Sequence, residues 1–209
     1  QRLSPPAEDA ARTLIDAVQL PAAAAAAPAE AGAIAPPAER TALLSAGVQD
    51  ITGVLTGDYQ LNDVLRIILE TMYRAIGFQR VLLCVRDPQS NALRARVGLG
   101  RDADAIIRAG FGVPLQGPPD IFSAAIGNGA DLCIEDVDAE TIRAHVPAWY
   151  RKAIPARGLV LFPLLLKGRP VGLLYGDTDR LGSLKFRPEE LNLLRTLRNQ
   201  AVLAIKQAG

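Results

Sequence analysis

Between Gly158 and Asp179 the chain reads GLVLFPLLLKGRPVGLLYGDTD. Residues 159–166 are apolar without a break, too few to cross a bilayer and suited to a strand buried on both faces. Lys167-Gly168-Arg169 supplies a polar turn, and Val171–Tyr175 is a second apolar run. Two such runs around a short Gly-containing turn predict an antiparallel hairpin in the middle of a core. Pro170 suits the opening of the second strand. Pro163 lies inside the first, so its missing donor must fall at an unpaired or bulged position. No ionisable residue stands between Leu159 and Leu166, so the first strand offers fold but no chemistry.

The remaining composition bounds the possible partners. The 209 residues carry a net charge of +1, one Trp and five Phe. No run of Lys or Arg exceeds two, so neither nucleic acid nor an acidic membrane is an expected partner. Cys84 and Cys133 make no disulfide framework, and a reducing, cytoplasmic setting follows. The chain begins at Gln1 and is read as a fragment of a longer protein. Residues 1–38 carry Pro5-Pro6, Pro21, six alanines, Pro28 and Pro36-Pro37, the composition of an interdomain linker. Ala11–Leu20 has room for two to three turns of helix. Residues 39–209 form the second unit.

From Glu39 the pattern is helical. Leu44, Val48, Ile51 and Leu55 make one narrow seam, weakened by Gly47, Gly53 and Gly57, so this helix needs a partner surface. Leu61–Ile76 repeats the pattern more fully with Leu61, Val64, Leu65, Ile68, Leu69, Met72 and Ile76, and Gly77 stops it. Strands are expected at Val81–Val85, Leu93–Leu99, Phe111–Leu115 and Leu132–Ile134, with a turn over 87–91. Short helices are expected at Asp102–Ala109 and Pro118–Ile126. Asp138 is placed as the cap of one helix whose apolar face is Ile142, Val146, Trp149 and Tyr150. Pro188, Glu189 and Glu190 open a last helix with a stripe of Leu191, Leu194, Leu197, Ala201 and Ile205. Strands arrive as hairpins and not as βαβ repeats, which predicts an α+β domain on one antiparallel sheet.

This order, together with Leu132-Cys133-Ile134-Glu135-Asp136-Val137, the hairpin strings and Phe186-Arg187-Pro188-Glu189-Glu190-Leu191, resembles the GAF domain, a bacterial sensory and regulatory module. The resemblance covers residues 40–207. Pro147-Ala148-Trp149-Tyr150 is similar to GAF domains that follow an HDOD signalling domain. The resemblance implies a PAS/profilin-type, six-stranded antiparallel sheet. The terminal helices lie on one face and commonly dimerise, and lid helices roof a small-molecule pocket on the other. Leu44, Val48, Ile51 and Leu55, with Leu194, Leu197, Ala201 and Ile205, are then the expected dimer helices, giving a homodimer linked to an upstream effector domain.

Several chemical readings compete with plainer ones. Gly98-Leu99-Gly100-Arg101-Asp102-Ala103 matches G-x-G-x-x-A, but its strand belongs to a hairpin, which favours a strand-exit loop over a phosphate cradle. Asp136, Asp138 and Glu140 lack the glycine and distal Glu of a calcium loop, and helix capping accounts for them without a metal. His145 is the only histidine and no nucleophile motif accompanies it, so it is read as packing against or lining the pocket. Both cysteines lie in strands and are expected to be buried and unreactive. They do not reproduce the cysteine trio of relatives that reduce free methionine sulfoxide, nor the Cys-His setting of bilin-attaching relatives. Lys185, Phe186, Glu189 and Glu190 echo the end of the cyclic-nucleotide signature, whose Asn-Lys pair is absent. The expected pocket lining is Phe111, Ile121, Phe122, Ile134, Asp136, His145, Trp149, Tyr150 and Arg157, an apolar wall with a few polar anchors. No residue set names a cofactor. The reading is a non-catalytic sensory or regulatory domain; a dimerisation module with a filled pocket is the alternative, and a small redox or hydrolytic enzyme is third.

Overall fold

The computed structural model describes residues 36–208, so the linker expected over 1–38, with its helix at Ala11–Leu20, lies outside them except for its last three residues. The described elements run α1 (Pro37–Leu55), α2 (Leu61–Ile76), β1 (Arg80–Asp87), β2 (Ala92–Gly100), α3 (Ala103–Arg108), β3 (Gly112–Pro114), α4 (Ile121–Asn128), β4 (Leu132–Ile134), α5 (Glu140–Arg143), α6 (Ala148–Ala153), β5 (Gly158–Leu166), β6 (Arg169–Thr178) and α7 (Pro188–Ala208). One six-stranded sheet has the order β3-β2-β1-β6-β5-β4, and every neighbouring pair is antiparallel.

The hairpin β5–β6 supplies two of the inner strands. Its loop is Lys167-Gly168, closed by the Leu166–Arg169 pair, with φ of 51° and 75°. Two positive φ values give the two-residue turn whose twist matches that of its strands. Pro163 faces Leu173 in β6. On its other side β4 reaches only Leu159–Leu161, so Pro163 has no partner strand there and its missing donor is tolerated.

Alternation along the inner strands divides the core in two. Val81, Leu83, Val85, Val160, Phe162, Leu164 and Leu174 pack under α1, α2 and α7. Leu82, Cys84, Leu159, Leu161, Leu173 and Tyr175 pack under the shorter elements between β2 and β5. All seven residues of the α2 stripe are buried, and Gly77 closes that helix with φ of 72°. In α1 the seam turns inward: Leu44 and Ile51 are fully buried in the chain's own core, with Val48 and Leu55 half-buried against it. Leu194, Leu197, Ala201 and Ile205 of α7 are buried in the same cluster. The partner surface that the narrow seam requires is thus α2 and α7 of the same chain. A Cβ at Gly47 would lie 2.3 Å from Thr71 Cγ2, so the glycine lets α1 and α2 approach closely.

A buried ion pair ties the starts of α1 and α7 across 150 positions of sequence. Arg40 Nε and Nη2 each donate to Glu190 at 2.7 Å, and Nη1 and Nη2 also reach the Ser183 and Lys185 carbonyls. Glu190 Oε2 accepts the Arg187 backbone N–H at 2.7 Å, capping α7. Burial pushes the Glu190 carboxyl up, but Arg40 and the Arg187 N–H together hold it below the usual glutamate range. Helix initiation therefore accounts for the acid that echoes the cyclic-nucleotide signature.

The helices of the middle segment differ from expectation. The single helix expected after Asp138 is two, because Pro147 has no N–H to continue α5 and instead precedes the first turn of α6. Ala139, not Asp138, stands at the N-cap of α5; Asp138 pairs with Arg151 at 2.7 Å. The helix expected from Pro118 begins at Ile121, where Asp120 and Ser123 form a reciprocal capping box.

Replacing Gly47 by Val should lower the unfolding free energy by about 1–3 kcal/mol, because the added side chain must displace Thr71. A Cβ at Gly53 meets nothing within 4 Å, so Gly53→Ala should raise it by roughly 0.5–1 kcal/mol. Urea unfolding of the two variants checks the pair; similar effects at both positions would contradict the close approach.

Candidate functional site

The lid is built from short elements because each is interrupted by Pro or Gly, and it is fixed to the sheet by backbone bonds. Val137 N–H donates to Arg157 O and Arg157 N–H to Thr178 O, both at 2.8 Å. Ile121 N–H, at the start of α4, donates to His145 O at 3.1 Å. Arg151 of α6 donates to Asp138 and, at 2.8 Å, to Val137 O.

Beneath this lid five rings form a continuous cluster. Phe122 lies 5.0 Å from Trp149 and 5.1 Å from Tyr150, centroid to centroid. Phe111 touches Trp149 at 6.0 Å and Tyr175 at 6.3 Å, and Tyr150 meets Tyr175 at 6.2 Å. These are tilted and edge-on arrangements, worth about 0.5–1.5 kcal/mol per pair beyond burial.

A polar relay crosses the cluster. Arg80 and Asp177 are cross-strand partners in β1 and β6, and Arg80 Nε donates to Asp177 Oδ2 at 2.5 Å with both side chains buried. Tyr175, two residues from Asp177 and on the same face of β6, donates its O–H to Asp177 Oδ2 at 2.7 Å. The two tyrosine oxygens are 2.9 Å apart. Since the Tyr175 proton is engaged with Asp177, Tyr150 is the donor of that bond. The lid is thereby latched to the sheet through a hydroxyl on α6. Burial pushes Asp177 up to about 6, against the opposing pull of Arg80 and Tyr175. Burial and the charge on Asp177 raise both phenols above their ordinary value.

Phe111, Ile121, Phe122, Ile134 and Tyr150 of the expected lining are buried together under the lid, and Trp149 is half-buried at its edge. The expected polar anchors lie elsewhere. His145 and Arg157 are exposed and contribute backbone bonds. Asp136 is half-buried; its Oδ1 accepts the Asp138 N–H at 3.0 Å and lies 3.8 Å from Arg157. Beside the Tyr150 hydroxyl, the buried polar groups of the relay are Arg80, Tyr175 and Asp177; sequence reading began one strand at Val81 and ended the other at Tyr175, and so left out both charged residues. The period-two series Leu173, Tyr175, Asp177 is the signal that extends the latter.

The other candidates resolve structurally. Gly98 and Gly100 stand opposite Leu82 and Arg80 in an antiparallel pair, and a Cβ at Gly98 would lie 2.5 Å from Leu82 Cδ2. Both glycines, expected in a strand-exit loop, therefore lie in β2 itself, whose exit is the turn at 101–102, without the parallel unit of a dinucleotide site. Cys84 is fully buried, and its thiol is pushed up to about 12 by burial. Cys133, expected to be buried, is exposed, because β4 is an edge strand and its residue 133 faces outward. Its Sγ sits 3.4 Å from Leu184 O, and burial of the sulfur with the Glu135 charge raises the thiol to about 11.

Because Asp177 titrates higher when folded than its ordinary 3.8, the folded state retains a proton that the unfolded chain has released. Its contribution to stability is complete below about pH 4 and is lost as pH rises through about 6. Relative to Asp177→Asn, the wild type should lose up to about 3 kcal/mol of unfolding free energy across that window. Urea unfolding of both proteins between pH 4 and pH 7 checks this; a difference that stays flat with pH is the contrary result.

The sequence profile of the GAF domain matches residues 60–205. No curated protein sequence matches significantly. Among solved structures, the chain is similar to the GAF domain of a phosphoenolpyruvate-protein phosphotransferase from Coxiella burnetii, at 14% identity and a TM-score of 0.62, covering 80% of this chain and 95% of that one. It is similar to residues 122 to 287 of a methyl-accepting chemotaxis protein, at 19% identity and a TM-score of 0.58, covering 78% and 98%. A third similar structure is free methionine-R-sulfoxide reductase from Neisseria meningitidis in complex with its substrate, at 20% identity and a TM-score of 0.55, covering 81% and 94%. At these identities the likeness is one of fold.

Proposed function

Because the chain belongs to the GAF domain family, we propose that it is a non-catalytic sensory or regulatory domain of a larger bacterial protein, binding a small molecule under its lid to modulate a linked effector. GAF domains are sensory and regulatory modules, and they sit in multidomain proteins beside effector domains. The observation that carries the reading is the latch between Tyr150 and Tyr175. Residues of β1 and β6 that face the lid alternate with residues that face α1, α2 and α7. A ligand that moves α6 therefore acts on strands shared with the helical layer, whose two outer starts are joined by Arg40 and Glu190. The segment ahead of α1 leads toward the proposed upstream effector, of the HDOD kind.

In this reading Phe111, Phe122, Trp149 and Tyr150 wall the ligand, with Ile121 and Ile134 behind them and Asp136, His145 and Arg157 at the rim. The proposed setting is cytoplasmic; among the described residues no helix is long and apolar enough to cross a membrane. The domain pairs with a second copy through α1 and α7, whose outward sides carry Leu43, 39% exposed, and Leu203, 43% exposed. The inward stripes, including Leu44, Ile51, Leu194 and Leu197, fix the helices that present that surface.

A second reading has its own support, since the contact of five rings favours a filled lid and a purely structural dimerisation module. A redox role is less well served. Cys84 and Cys133 belong to strands separated in the sheet by β6 and β5, and both thiols are raised far above neutral pH.

Deleting residues 40–209 from the parent protein should change effector output under at least one metabolic condition; unchanged output throughout would count against a sensory role. Sedimentation should give a dimer for the wild type and a monomer for a Leu43→Glu, Leu203→Glu variant. A monomeric wild type at high micromolar concentration would exclude pairing.

A further inference from the structure

One buried oxygen of the relay under the lid has no hydrogen-bonding partner among the described residues. Each Arg80 nitrogen is occupied: Nε by Asp177, Nη1 by Arg101 O at 3.2 Å, and Nη2 by Gln79 Oε1 at 3.4 Å. Asp177 Oδ2 accepts from both Arg80 and Tyr175. Asp177 Oδ1 is buried and has no hydrogen-bonding partner among the described residues. An orphaned carboxylate oxygen in such a place carries the full desolvation penalty of an unmade hydrogen bond. A lid that served only to fill space would be sealed as well by Phe at 150, without desolvating the hydroxyl that ends the relay.

Resting on the reading of the lid as a small-molecule site, we propose that the ligand is a small aromatic hydrogen-bond donor, neutral or singly cationic, that displaces the Tyr150 side chain and donates to Asp177 Oδ1. The surroundings fit that class. Phe111, Phe122, Trp149 and Tyr175 offer ring faces and edges to a planar molecule. The free valence repels anions and rewards N–H or O–H groups. The Tyr150 hydroxyl is the group on the lid nearest to being exchanged, since it ends the relay and is held by one bond of 2.9 Å to Tyr175. Release of that hydroxyl leaves the Arg80–Asp177–Tyr175 part intact, with Asp177 Oδ1 as the oxygen the ligand's donor reaches.

Trp149 is the chain's only tryptophan, so its fluorescence reports on this cluster alone. The test titrates the intact domain with benzylamine, phenol and indole as donors, and with toluene and benzoate as matched molecules lacking a donor or carrying the wrong charge. Saturation-transfer NMR serves as a second readout. Expected are saturable responses to the donors at least tenfold stronger than to toluene or benzoate. Asp177→Asn should weaken benzylamine at least tenfold. Tyr150→Phe, which keeps the ring but removes the hydroxyl that latches it to Tyr175, should bind phenol and benzylamine a few-fold more tightly, and it keeps the proposal testable if the Asp177 variant does not fold. Equal responses to toluene or benzoate would overturn the Asp177 assignment while leaving a small-molecule site in place. Unaltered or weaker donor binding by Tyr150→Phe would overturn the displacement. Silence from every probe would overturn both this inference and the reading on which it rests.

Discussion

The arrangement of this domain depends on one buried ion pair. Arg80 opens β1 and Asp177 nearly closes β6, and their bond lies where the two central strands meet. A carboxylate and a guanidinium removed from water each lose several kcal/mol of solvation. Their mutual attraction offsets that loss only with close geometry and further hydrogen bonds, which Tyr175 and the Arg101 carbonyl supply. The pair therefore fixes register between β1 and β6 as much as it adds stability, because no other pairing of the two strands puts the charges together. Through Tyr175 and Tyr150 it also fixes where the lid rests.

A second buried pair, Arg40 with Glu190, organises the opposite face. It joins helices 150 positions apart and is reinforced by the arene of Phe186, 5.7 Å from the guanidinium carbon. The two pairs differ in completeness. Glu190 uses both oxygens, on Arg40 and on the Arg187 N–H, whereas Asp177 leaves one oxygen open. Burial outweighs the partners at Asp177 and raises its carboxyl, while the partners outweigh burial at Glu190 and lower it. The helical layer is a closed structural contact, and the lid layer is an open one.

Much of this fold was legible because its elements obey simple periodicities. The α2 stripe, Gly77, the 158–179 hairpin and the strand at Leu132–Ile134 follow from apolar spacing and local turn chemistry. The lid was less legible, since Pro147 divides a pattern that otherwise reads as one helix. The apolar wall of Phe111, Phe122, Trp149 and Tyr150 was recognisable from the resemblance, but its polar centre was not. Asp177 follows an apolar strand and is followed by Asp179 and Arg180, a composition that reads as loop. Its role depends on a partner 97 positions away, which local pattern does not reveal. The inward turn of the α1 seam was hidden for the same reason: periodicity shows that a helix has an apolar face, but not which surface covers it.

The Tyr150 hydroxyl thus holds α6 to the relay, independently of the helical layer on the opposite face. Native-state hydrogen exchange of the wild type and Tyr150→Phe tests it most directly. Loss of the hydroxyl should speed exchange at the Arg151 and Ile154 amides of the α6 segment, bonded to Pro147 O and Tyr150 O, and leave α2 and α7 unchanged. Equal acceleration throughout, or none at α6, would contradict it.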